Sequence, residues 1–65
     1  MSYLEIYQMI NTLFGLFVSV VIVDEHVEVY GDERYVTAVQ ESYGGTIINK
    51  TLYITEDDYE QHIHL

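Results

Sequence analysis

The stretch LFVSVVIVDEHVEVY, residues 16–30, decides the fold. Its β-branched residues mark strands rather than helix. Residues 17–23 are almost continuously apolar and read as a central strand buried on both faces. Residues 27–30 alternate instead, with Val27 and Val29 on one side and Glu28 and Tyr30 on the other. Val21, Val23, Val27 and Val29 keep one parity through Asp24, Glu25 and His26, so the stretch is read as one long, bent strand; a tight turn at those three residues is the alternative.

On the N-terminal side, the first fifteen residues read as a helix. Ser2 followed by Glu5 has capping-box spacing, and Leu4, Ile6, Tyr7, Ile10, Leu13 and Phe14 recur every three or four positions. Gly15 closes the helix through its access to the left-handed conformation. On the C-terminal side, Gly31, Asp32 and Glu33 supply turn chemistry, and a strand is expected over residues 34–42. Gly44 and Gly45 then predict a hairpin, followed by a strand over residues 46–55. The segment from Thr55 to Ile63 opens with a second capping-box-like spacing and reads as a short acidic helix; Tyr59, Gln61, Ile63 and Leu65 also alternate, which leaves a terminal strand as the other reading. The expected fold is therefore α+β: an N-terminal helix packed on an antiparallel sheet of three to four strands, in a single small acidic domain over residues 1–65.

Eleven carboxylates face only two cationic side chains, Arg34 and Lys50, for a net charge of −9 on 65 residues. Such a surface repels nucleic acid and anionic membrane and attracts basic partners. An apolar fraction of 49% is enough to fold despite the charge. The chain has no cysteine, so neither a disulfide nor a thiolate zinc site can support the core, and a cytoplasmic setting is expected. The apolar run over residues 13–23 is too short for a bilayer, and no basic residue precedes it as in a secretory signal; the chain is read as soluble and complete.

The acids are unevenly placed. Asp24, Glu25, Glu28, Asp32 and Glu33 form one run, and Glu56, Asp57, Asp58 and Glu60 another, leaving only Glu5 and Glu41 outside. Tyr30, Tyr35 and Tyr43 are expected at strand ends and turns beside acids, with Tyr30 and Tyr35 as interface anchors. Tyr53 is expected at the core or its rim. The plain alternative for the acids is a solvated face that keeps a small protein soluble. His26, His62 and His64 lack zinc-motif spacing and the acidic tail lacks a calcium-loop glycine, so no metal and no cofactor are expected. Ser2, Ser19 and Ser42 lack a glycine elbow, and so small a domain offers little room for a substrate cleft; no enzymatic activity is expected.

In length, charge, lack of cysteine and helix-plus-sheet plan, the chain resembles small acidic phage-encoded inhibitors of the anti-CRISPR and DNA-mimic type. The resemblance is one of overall build, without a diagnostic motif. It implies a non-enzymatic inhibitor that occupies the nucleic-acid-binding channel of a host protein or nucleoprotein, such as a CRISPR–Cas effector complex, in the host cytoplasm. The expected partner-binding residues are Asp24, Glu25, Glu28, Tyr30, Asp32, Glu33, Tyr35, Glu56, Asp57, Asp58 and Glu60. A monomer is favoured. The alternative is a small homodimeric interaction domain whose acidity serves solubility alone.

Overall fold

The computed structural model describes residues 3–63, and the proposed cap at Ser2 lies outside them, as do His64 and Leu65. Helix α1 covers Tyr3–Phe14 and buries Ile6 and Ile10. It ends where the Gly15 N–H donates to the Asn11 carbonyl at 3.0 Å and the Phe17 N–H to that of Phe14 at 2.9 Å. Gly15 is needed for space rather than for a left-handed φ: a Cβ there would lie 2.3 Å from the Asn11 carbonyl oxygen.

The long bent strand is instead a hairpin. Strands β1 (Val18–Val23) and β2 (His26–Gly31) pair antiparallel, with Val23 opposite His26 and Val18 opposite Gly31. Asp24 and Glu25 make the turn, Asp24 with φ of 52°. The turn inverts the expected parity, since opposed residues share a face. Val20 meets Val29 and Ile22 meets Val27. Because β1 is apolar at both parities, alternation could not set its register; the two-residue turn sets it. Nor is β1 central: the sheet order is β1-β2-β4-β3, and β1 is an edge with one face buried.

The expected strand over residues 34–42 is helix α2, Glu33–Tyr43. Its β-branched content suggests a strand, but Val36 and Val39 are buried at helical spacing, with Tyr35 and Tyr43 packed beside them. Both ends are capped. The Asp32 carboxylate accepts from the Arg34 N–H at 2.9 Å, and the Gly44 N–H donates to the Gln40 carbonyl at 2.8 Å with Gly44 at φ of 84°. The glycine pair thus closes a helix rather than a hairpin. The hairpin comes one step later, where Asn49 (φ 50°) and Lys50 (φ 68°) join β3 (Thr46–Ile48) to β4 (Thr51–Thr55), splitting the single strand expected over residues 46–55. Helix α3, Glu56–Ile63, is the expected acidic helix. The Asp58 N–H donates to the Thr55 hydroxyl at 3.0 Å, and the Thr55 N–H to the Asp58 carboxylate at 3.1 Å, completing a capping box.

The result is an α+β fold with a four-stranded antiparallel sheet. All three helices pack on one sheet face, where Ile6, Ile10, Val36, Val39 and Tyr59 meet Val18, Val20, Val27, Val29, Leu52 and Ile54. Apart from Tyr59, no residue with a polar or charged side chain is buried among the described residues. The opposite face, with Ser19, Val21, Val23, His26, Glu28, Tyr30, Tyr53 and Ile48, is half-buried or exposed.

Candidate acidic interface

The β2–β4 register decides where the acids go. His26 opposite Thr55 sets the Asp24–Glu25 turn beside the start of α3, so Glu25, Glu56 and Asp57 converge around Tyr3 and, with His26 and Thr55, line one surface depression. The pKa of the Tyr3 hydroxyl is raised, first by desolvation and then by the negative charges of Glu56, Glu25 and Asp57.

The remaining acids of the first run lie along or beyond β2. Glu28 is on the open sheet face, where its Oε2 is 2.8 Å from His26 Nε2. That histidine is tilted against Tyr53 at 5.5 Å between ring centroids, so Tyr53 sits on the open face and not at the core or its rim. Tyr30 is on the same face and exposed. Asp32 and Glu33 follow the far end of β2, about 20 Å away for six residues at ~3.3 Å each. There they take up both cations. Arg34 donates to Asp32 through Nε at 3.3 Å and Nη2 at 3.0 Å, and Lys50 Nζ lies 3.3 Å from Glu33 Oε1. Hydrogen bonding from the Arg34 side chain, then from its backbone N–H, holds the Asp32 carboxyl below its ordinary range, and the Arg34 guanidinium is raised in return.

Tyr35 and Tyr43 stand on α2 rather than at strand ends. The Tyr35 ring stacks on Phe17 with centroids 4.0 Å apart and planes 5° apart, tying α2 to the segment before β1. Tyr43 lies 6.1 Å from Tyr59, and its pKa is raised by burial and then by that neighbour. Asp58 is committed to the cap of α3, and Glu60 is half-buried further along the same helix.

Folding therefore joins the two acidic runs at one end, through Glu25, Glu56 and Asp57 with Asp24 adjacent in the turn. It separates Asp32 and Glu33 from them and pairs that end with the cations. Tyr3 and His26 belong to this surface although no spacing in the sequence marks them; only the pairing of β2 with β4 brings them in. Among the described residues, no group of three or more His, Cys, Asp or Glu is arranged to hold a metal ion. No described helix is long and apolar enough to cross a membrane. No protein-family model, no curated protein and no solved structure matches this chain.

Proposed function

We propose that the protein is a non-enzymatic inhibitor that occupies the basic nucleic-acid-binding surface of a partner, such as a CRISPR–Cas effector complex in the host cytoplasm, through the acidic end. One observation carries this reading: Glu25, Glu56 and Asp57 are brought together from separate parts of the chain, while Arg34 and Lys50 pair with acids at the far end of β2. Carboxylates grouped on a rigid hairpin tip and the first turn of a capped helix meet Lys and Arg at little ordering cost. Opposite charge steers the encounter, so association is fast and weakens with salt. Asp24 extends the acidic end, Glu28 borders it on the open sheet face, and Tyr30, Asp32, Glu33 and Tyr35 fall outside the primary contact.

The test is displacement of a labelled nucleic-acid duplex from a purified CRISPR–Cas effector. The protein is expected to displace the duplex, with at least a tenfold loss of potency between low and physiological salt, a factor that follows from a few screened ion pairs. The triple variant Glu25→Lys, Glu56→Lys, Asp57→Lys loses displacement, and Glu41→Lys on the exposed face of α2 keeps it. Displacement that ignores salt, or that survives the triple reversal, overturns the mechanism.

A further inference from the structure

No charged residue occurs between Glu5 and Asp24, and the fold gathers much of this uncharged run on one side of the molecule. Strand β1 lies there as an edge, and neither charge, proline nor bulge protects it. The opposite edge, β3, is only three residues long and runs into the Asn49–Lys50 turn. Along β1, Ile22 is 43% and Val23 36% exposed, and the residues leading into it, Leu16 and Phe17, are 94% and 47% exposed. Above β1 runs a flank of α1. Met9 shares a depression with Tyr43 of α2, so its side of α1 faces α2. At 100° per residue, Tyr7 and Phe14 lie on the opposite flank, toward the β1 edge, and both are only half-buried.

We propose that two copies of the chain associate through their β1 edges, antiparallel about a two-fold axis, making one eight-stranded sheet with every helix on the same face. Three features fit a second copy. Such a two-fold places inward residues opposite inward residues, with either Val20 or Val21 at the axis, so only Val, Ile and Ser oppose one another and no like charges meet. The antiparallel arrangement also sends the two acidic ends to opposite extremes of the dimer. Finally, it lays the Asp24–Glu25 turn of each copy beside the Leu16–Val18 region of the other, near the exposed cation that is bonded to Asp32. Arg34, whose side chain is 84% exposed, lies 6.0 Å from the Tyr35 ring that stacks on Phe17. That complementarity repeats at both ends of the interface. The inference does not rest on the inhibitor reading, and it takes up the homodimer that the sequence leaves as the alternative to a monomer.

Light scattering behind size exclusion tests the assembly across protein concentration, against a chain mass of 7.6 kDa. Twice that mass is expected at the upper end, about 100 µM, a range that captures interfaces of micromolar strength. In the unmodified protein, amide exchange provides a second readout. A lone antiparallel edge protects only alternate β1 amides, whereas a paired edge protects them all. Ile22→Lys, checked for folding by circular dichroism, is expected to be monomeric. Arg34→Glu is expected to weaken the dimer about tenfold, with recovery on adding Asp24→Arg and Glu25→Arg, in the manner of close interfacial charge pairs. A species of 7.6 kDa throughout with alternate β1 protection overturns the proposal, as does a dimer in which β1 amides exchange as in a lone edge.

Discussion

Two short side chains, Thr55 and Asp32, decide how helices α3 and α2 begin. At α3, the side chains of Thr55 and Asp58 each accept from the other's backbone N–H. Thr55→Ala removes the hydroxyl that receives the Asp58 N–H and is expected to cost about 1 kcal/mol in urea denaturation. At α2, Asp32 does the corresponding work while holding Arg34. Its folded-state pKa lies below the ordinary 3.8, so its contribution is fully present above that value and is lost as pH falls through the depressed one. Acid denaturation should therefore show a steeper loss of stability below about pH 4 in the wild type than in Asp32→Asn, which keeps an N-cap acceptor but does not titrate. Equal slopes would remove Asp32 from the acid response.

At the scale of elements, the N-terminal helix was legible from its apolar periodicity and the short acidic helix from the spacing of Thr55 and Asp58. Strand β1 was legible as a strand but not in its register or its place, since Val18, Val20, Val21 and Val23 leave both faces apolar. Helix α2 was misread for a physical reason. Tyr35, Val36, Thr37 and Val39 carry strand propensity, and what overrides it is burial of Val36 and Val39 against β2 and β4 together with caps at Asp32 and Gly44. Gly44 and Gly45 then drew the hairpin prediction away from the true turn, where Asn49 and Lys50 hold positive φ. Lysine is strained in that conformation, and its ion pair with Glu33 is largely exposed, with side chains 79% and 66% accessible. Lys50→Gly is therefore expected to raise stability by about 0.5–1 kcal/mol in chemical denaturation, because relief of the left-handed strain exceeds the loss of a surface pair. A fall in stability would mean that the ion pair contributes more than its exposure suggests.

For the whole molecule, the acidic total and its two runs could be read from the sequence, but their meeting could not. Glu25 reaches Glu56 and Asp57 only because β2 pairs with β4, a neighbour separated from it in sequence by α2 and β3. Among the described residues, the same sheet rests on a core of eleven buried residues. A chain of this length has roughly 3–10 kcal/mol of total stability, and removing a fully buried Leu side chain costs about 2–5 kcal/mol. Leu52→Ala, at the point where β4 meets both β2 and β3, is expected to leave much of the protein unfolded at 37 °C by circular dichroism. A cooperative, native-like melt would show that the sheet tolerates the cavity.

Placing Arg34 and Lys50 with Asp32 and Glu33 beyond one end of β2, and Glu25, Glu56 and Asp57 at the other, gives the molecule an electric dipole along that strand. A net charge only draws a particle toward its counter-charge; a dipole also applies a torque. In the field of a cationic cleft the protein turns as it diffuses, so that the hairpin tip beside Tyr3 leads. Orientation is then settled before contact, and a variant that keeps the net charge but exchanges the two ends should lose speed of association.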